Sequence, residues 1–505
     1  MNFSKISIMK YYSDYKDIAE KYIKNKKYEK AMEVILIAAQ MQHLFNIILY
    51  DAKMEEMIQQ IAADTVEFDS INGSEGCYML YDSVAIDNSA LSLQYLNALI
   101  SWNIKFVYII KDETDLKKSE TLRMIAEKAS NCKLYIVSKK TSLIDEVKEI
   151  REIIKENKPK KALLHMANHD VVGCVAWSAL KGIERFYINH GDEQFWIGRS
   201  VLDYCIEFRG MGCYASEKYR NLKQKQCLIQ PYYPIISNNP FQGFDFSIPE
   251  ENTIIFSGGR FIKVYGENGQ FMNIVSRILY ENPNTCFIFA GSGNSEPMER
   301  FIRKNGLSDR WKVIPYRSDL FEVMRHIDIY LGTYPQAGGL MAQYAASAGV
   351  PIVEMNTFNG GVTEDLLPKL TDVKITHDTW ESYFEEIKKL IENKEYRKSV
   401  GEKIRAGNVD KEEFDFGLKR LLAEHISMYP NNMREIDVDL RSKRLIDAEN
   451  QYNHKLPSVL CNTIMLKKHP VLYIMLIAIY IKNKGMVALI KKMNHCFRRL
   501  SNAGC

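Results

Sequence analysis

Apolar positions recur at intervals of three and four through YKDIAEKYIKNKKYEKAMEVILIAAQMQHLFNIILYDAKMEEMIQQIA, within the first 65 residues, and predict successive amphipathic helices. AEKYIKNKKYEKAMEVI has the large-small alternation of one tetratricopeptide-like hairpin, but no second copy follows at about the 34-residue period. The segment therefore reads as a helical accessory domain over residues 1–70, ended by the turn Asn72 to Glu75 (NGSE). From Cys77 the period changes. The short apolar runs CYMLYD, KFVYII, KLYIVS, KALLHM and RFYINH alternate with helical stretches such as NSALSLQYLNALISW and LIDEVKEIREIIKE, which predicts a parallel, doubly wound sheet over 75–240. The series breaks at PYYPIISNNPFQGFDFSIPEEN, so a domain boundary is expected near Asn238 to Asn252. A second alternation, through TIIFSGG, TCFIFAGSG, KVIPY, DIYLGTYP and VPIVEM, predicts another doubly wound domain over 250–410. A helix over 411–430 is expected to cross back over both domains, and a tail occupies 431–505. Two such domains in tandem bind ligands most naturally in the cleft at their strand C-terminal ends.

Charge changes this picture at one end only. The chain of 505 residues has a net charge of +4, too little for a general nucleic-acid binder, and no nucleic-acid partner is expected. Between Cys461 and Cys505, however, lie eight cations and no acid, leaving the remainder at −4. The longest apolar run there, Val471 to Ile481, is 11 residues. About 20 are needed to cross a bilayer. The run and the later KGMVALIKKMNHCFRRL read as an interfacial anchor on an anionic membrane surface, the alternative being a core helix with a solvated basic end. The ten cysteines are scattered with no CxxC, which fits reduced thiols in a cytosolic protein and argues against a Cys-built zinc site. MNFSKISIMKYYSDYK lacks a signal-peptide apolar stretch, so export is not expected.

Two loops of the second domain carry chemistry. Ser257-Gly258-Gly259-Arg260-Phe261-Ile262-Lys263 follows a predicted strand; its glycines permit close backbone approach while Arg260 and Lys263 bring cations. Such a loop can cradle a diphosphate, and a plain turn with solvated bases is the other reading. Farther on, a strand delivers Thr333, Tyr334 and Pro335 into the Gly338-Gly339 turn ahead of a helix that ends at Gly349-Val350-Pro351. The unpaired N–H groups at that helix start favour an anion.

At these residues the sequence resembles a known family. Residues from about 77 to 400 look like a glycosyltransferase of the GT-B fold, and VIPYRSDLFEVMRHIDIYLGTYPQAGGLMAQYAASAGVPIV is similar to the donor half of the O-GlcNAc transferase-like group, including its bacterial cytoplasmic protein- and polysaccharide-glycosylating members. The resemblance implies an α/β fold of two Rossmann-like domains, with a nucleotide-sugar donor held by the second, an acceptor by the first, and neither metal nor other cofactor. It implies that Lys263 neutralises the donor diphosphate with Arg260 nearby, that Tyr316 and Arg317 lie in the base-recognition loop, and that Thr333, Tyr334, Pro335, Gly338 and Gly339 line the phosphates and sugar. Where the family has Thr residues after the Gly pair, this chain has Leu340 and Met341; where it has a ribose-contacting acid, this chain has Gln343 and Tyr344. The acids beyond the Gly-Val-Pro turn, Glu354, Glu364 and Asp365, form no Glu-x7-Glu pair of the retaining kind, so inversion is expected.

The first domain then has to supply the acceptor site and a general base. His165-Met-Ala-Asn168-His169-Asp170 and Asn189-His190-Gly191-Asp192-Glu193-Gln194-Phe195-Trp196 both fall just past strand ends, and the second resembles an N-H-x-D-x-x-F-W-x-G stretch of bacterial transferases. A base needs a pKa near working pH and hydrogen-bond reach, which gives the order His190, Asp192, then Asp170 and His169. Asp170 is also a good helix N-cap, and a His at a strand end can simply bond a carbonyl. Metal binding by His165 and His169 is disfavoured because a strand-to-loop segment does not put them on one helical face. Asn88-Ser89, after the first strand, are candidates for approaching the sugar or for capping a helix. The expected protein is a metal-independent transferase, cytoplasmic and peripheral on the inner face of the membrane, moving a sugar from a UDP-sugar to a glycan, lipid-linked saccharide or protein. The rivals are a teichoic-acid-type polyol-phosphate transferase and a non-catalytic partner subunit of an active transferase.

Overall fold

The computed structural model of the chain describes residues 3–486 apart from 88–89, 113–115, 139, 141, 237–238, 357–362, 453–455 and 461. The chain forms two compact units. The first comprises Met1–Ile206, Ser216–Gln226 and Val438–Cys505, the second Glu207–Ala215 and Cys227–Asp437.

In the first unit, β1 (Asp69–Ser70) precedes β2 (Ser74–Asp82), β3 (Lys105–Asp112), β4 (Cys132–Ser138), β5 (Pro159–His165), β6 (Leu180–Lys181), β7 (Glu184–Ile188) and β8 (Tyr204–Glu207). β1 pairs only with β6, while the main sheet runs β4-β3-β2-β5-β7-β8 with parallel pairings throughout. Helices cover both faces of such a sheet, so its central strands are apolar on both sides. Met79, Leu80 and Tyr81 of β2 and Tyr108 and Ile109 of β3 have no exposed surface. The strands β2, β5 and β7 are adjacent, and they end at Asp82, His165 and Ile188. That adjacency brings the two His-containing loops to one edge of the sheet.

The helices expected as a separate domain over 1–70 are instead part of this unit, together with the described part of the tail. Lys5–Lys24 starts at a Ser4–Ser7 capping box, Tyr28–Phe45 follows, and Ala52–Thr65 is N-capped by Asp51. Their acids grip the sheet domain. The Glu29 carboxylate accepts the N–H groups of Leu143 and Ile144 and the Ser142 hydroxyl, at the start of the helix Leu143–Asn157. The buried Glu55 accepts the N–H groups of Gly198, Arg199 and Ser200. The tail returns as helices Val438–Tyr452, Leu456–Leu460, Thr463–Lys468 and Pro470–Lys484. It is tied to the N-terminal helix by Asn450 with the Phe3 backbone, by Tyr15 donating to Asn462 at 2.9 Å, and by His469 with Asp14 at 2.9 Å. Residues 487–505, which include most of KGMVALIKKMNHCFRRL, lie outside the described residues, as do Asn88 and Ser89.

The second unit contains β9 (Cys227–Ile229), β10 (Thr253–Arg260), β11 (Thr285–Ser292), β12 (Trp311–Ile314), β13 (Ile329–Leu331), β14 (Ile352–Met355) and β15 (Thr376–His377). β10 to β15 form a parallel sheet of order β12-β11-β10-β13-β14-β15. The order reverses at β10 and β13. In open parallel sheets, ligand sites gather outside the strand C-termini at such a point. The division expected at 238–252 falls earlier, since 207–215 and 227 onward already belong to this unit. The helix expected over 411–430 is Lys411–Glu424, with a capping box at Asp410 and Glu413.

Candidate active site

β10 runs out in Ser257-Gly258-Gly259-Arg260 beside the strand β13 that delivers Gly332 and Thr333. Gly258 is required by space, because a Cβ there would stand 2.8 Å from the Ala290 carbonyl oxygen and from the Met341 methyl. Gly259 has φ +138°, which favours glycine. One turn of 3-10 helix, Phe261–Val264, then carries Lys263 over the facing turn. Its Nζ donates to the Ala337 carbonyl at 3.4 Å and lies 3.3 Å from where a Gly338 Cβ would be. Thr333 closes that turn by donating to the Gln336 carbonyl at 2.6 Å. The Tyr334-Pro335 peptide is cis, and the Tyr334 hydroxyl donates to Glu267. The helix Gly339–Ala348 begins with Gly338 as N-cap and no capping side chain. Its first N–H groups, the Lys263 ammonium and the exposed Arg260 make one positive locus at the switch point.

Other expected donor residues have structural partners. Arg317 forks onto Asp319, donates to the Gly243 carbonyl at 2.7 Å and lies over Phe241 and Phe244. It shapes the loop, while its neighbour Tyr316 is 65% exposed and offers an aromatic face. Gln343 is fully buried, and its amide N–H donates to the Tyr232 carbonyl. Tyr344 likewise donates to the Ile235 carbonyl at 2.7 Å. The sequence reading gave Glu354 no role. It is buried on β14, accepts the Thr363 hydroxyl at 2.6 Å and lies against Gly332, where a Cβ would be 2.4 Å from Glu354 Cγ. Burial pushes its pKa up to about 7, helped by Glu364 and opposed by the Thr363 bond, Arg209 and Lys263. An acid inside the apolar strand IVEM was its only signal.

In the first unit, the ends of β2, β5 and β7 gather imidazoles. His165 is buried, with Nδ1 3.0 Å from Asp82 and 3.3 Å from the Ser92 hydroxyl. Burial alone would raise the Asp82 carboxyl, but the neighbouring His165 and hydrogen bonds from Ser92 and the Val84 N–H hold it below the ordinary carboxylate range. The half-buried ring of His190 stands edge-on to His165 at 5.0 Å. Burial first, then His165 and His43, push the His190 pKa down to about 3. His43 comes from the N-terminal helix Tyr28–Phe45: Asn168 Nδ2 lies 3.1 Å from its Nδ1, and its ring is 6.0 Å from that of His169. The two expected carboxylate bases are buried and have partners of their own. Asp170 is buried, caps the helix Val171–Trp177 through the Gly173 N–H, pairs with Lys111 at 2.9 Å and accepts the Tyr81 hydroxyl. Burial would raise its pKa, and these partners hold it low. Asp192 is buried and accepts the Glu193 N–H at 2.9 Å. Its loop is pinned by Arg220, which donates to the carbonyls of Asp192 and Gln194 and lies over Trp196. Of the four candidates His190 and His169 are partly open; His165, named in the first cluster, stands beside His190, and Asp82 and His43 are the neighbours that sequence reasoning missed. Among the described residues, no group of three or more His, Cys, Asp or Glu is arranged to hold a metal ion.

Residues 238–407, which contain the Lys263 locus, match the family model described as glycosyl transferases group 1. Among solved structures, the chain is similar to Anabaena Alr3699/HepE in complex with UDP and glucose at 13% identity and a TM-score of 0.51, covering 69% of this chain and 100% of that one. It is also similar to a Thermobaculum terrenum O-GlcNAc transferase mutant (14% identity, TM-score 0.50, 87% and 83% covered) and to the lipopolysaccharide outer core galactosyltransferase WaaB (12%, 0.51, 69% and 99%). No curated protein matches the sequence. The chain thus has the GT-B fold.

Proposed function

We propose that the protein transfers a sugar from a nucleoside diphosphate, a UDP-sugar, to a hydroxyl group of a glycan, lipid-linked saccharide or protein during bacterial surface glycan or glycoprotein assembly. The observation that carries this reading is the placement of Lys263 over the Gly338 turn, beside an uncapped helix start at the switch point of the second sheet. In the reaction the acceptor oxygen bonds to the anomeric carbon as the bond from that carbon to the diphosphate oxygen breaks, with inversion. Negative charge grows on the leaving diphosphate. Lys263, Arg260 and the first N–H groups of Gly339–Ala348 stabilise it, and on this reading no metal is needed. Similarity to a structure binding UDP and glucose supports a uridine donor, with Tyr316 as a stacking face for the base.

The acceptor proton goes to His190. Its low pKa keeps the ring in the base form across the physiological range, and His165, held by Asp82, orders the site behind it. The imidazole is a weak base in the free protein, so the proton affinity it needs comes from the negative charge of bound substrate. The protein acts in the cytoplasm, at the inner face of an anionic membrane, to which the basic C-terminal region holds it. Among the described residues no helix is long and apolar enough to cross a membrane.

The test is release of the nucleotide from a panel of UDP-, GDP- and CDP-sugars in the presence of bacterial membrane extract. Wild type should release one nucleotide and label the extract, and His190→Ala should lower turnover by about 10²-fold or more while still binding the nucleotide. Binding without release from any donor would instead favour a non-catalytic partner subunit.

A further inference from the structure

The helix Pro470–Lys484, PVLYIMLIAIYIKNK, is apolar on every side, yet only one side is covered. Leu476 is fully buried, and the helix packs on Leu456–Leu460 and Thr463–Lys468. Val471, by contrast, is 72% exposed, Ile474 66% and Met475 45%. With Ala478, also exposed, they stand at i, i+3, i+4 and i+7, a single stripe along the helix. Leu466 before the helix and Met486 after it are exposed as well. A helix without a polar face belongs in a core or against an apolar phase, and a contiguous exposed apolar patch marks an interaction face.

Charge identifies the occupant. Lys467 and Lys468, immediately before the helix, are exposed, and the segment from Cys461 to Cys505 has eight cations and no acid. Apolar side chains beside the exposed Lys467 and Lys468, in a segment whose sequence carries charge of one sign, match acyl chains under anionic headgroups. At 15 residues, the helix would be about 22 Å long, short of the roughly 30 Å hydrocarbon core. The residues that lead into it are bonded to the helix Lys5–Lys24, through its N-cap His469 with Asp14 and through Asn462 with Tyr15, which fixes the stripe on the first unit instead of leaving it on a loose tail.

We propose that Pro470–Lys484 lies flat in the interface of an anionic bilayer, with Val471, Ile474, Met475 and Ala478 toward the acyl chains and Lys467 and Lys468 among the headgroups. This deepens the membrane reading above and rests on it, but not on the identity of the donor. The experiment is co-sedimentation of the full chain with vesicles of phosphatidylcholine, with and without phosphatidylglycerol. Wild type should partition onto the anionic vesicles. Val471→Ser combined with Ile474→Ser should lower the partition coefficient by about tenfold or more, and Lys467→Gln with Lys468→Gln by about fivefold or more with a weaker salt dependence. All substituted positions are exposed, so both variants should keep the wild-type melting temperature and nucleotide response. Three results would overturn the proposal: no binding of wild type, binding of the double serine variant equal to wild type, or a wild-type dimer that the serine variant dissolves, which would make a second copy the occupant. Loss of the nucleotide response in wild type would sink the transferase reading and leave the vesicle result standing.

Discussion

Single residues divide here into those that meet substrate in the proposed reaction and those that hold them. Lys263 and His190 are of the first kind; Asp170, Asp192, Arg317 and Gln343 are of the second, because each is buried or fully engaged by its neighbours. Glu354 gives a prediction with a definite sign. Its folded pKa, about 7, lies above its ordinary value of 4.5, so its favourable contribution is complete below pH 4.5 and lost as pH rises through 7. Glu354→Gln keeps an acceptor for Thr363 and should raise stability above pH 7 by up to about 3 kcal/mol, flattening the pH dependence between the two values in urea titrations. His190 has the opposite sense of dependence. Its folded pKa is depressed, so the unfolded state takes up the proton first and stability falls as pH drops from about 6.5 toward 3. His190→Gln should remove that slope. The sequence shows His190 because it follows an apolar strand, but not His43, whose partner Asn168 is 125 positions away. Contacts of that span leave no local pattern.

Elements are the scale at which the sequence reads best and also where it misleads. Parallel strands buried on both faces leave short apolar runs between helical periods, and KFVYII, KLYIVS and TIIFSGG all fall within observed strands. Helix periodicity tells which face is apolar but not what that face meets. The N-terminal helices therefore look like a separate domain, whereas they and the described part of the tail from Val438 join the first unit. Glu55 is the test of that union. Replacing its carboxylate by Ala leaves three backbone N–H groups without their acceptor and should cost at least about 2 kcal/mol in urea unfolding, far more than a surface substitution. An outcome within about 0.5 kcal/mol of wild type would mean that Glu55 does not hold the helices to the sheet domain.

On the scale of the whole molecule, the two units carry different chemistry: the first an imidazole cluster at one sheet edge, the second a cationic locus at a switch point. Nucleotide binding should accordingly slow hydrogen exchange at residues 258–263 and 333–343 and leave the core strands β2, β3 and β5 unchanged. The central claim, that the second unit holds a nucleoside diphosphate at Lys263, is tested most directly by calorimetric titration of UDP, GDP and CDP into the wild type and Lys263→Ala. The account predicts saturable binding of UDP over the other two and a loss of affinity of about tenfold or more in the variant, the loss expected when a charge-assisted contact is removed. Equal binding by both proteins, or no binding of any of the three, would contradict it.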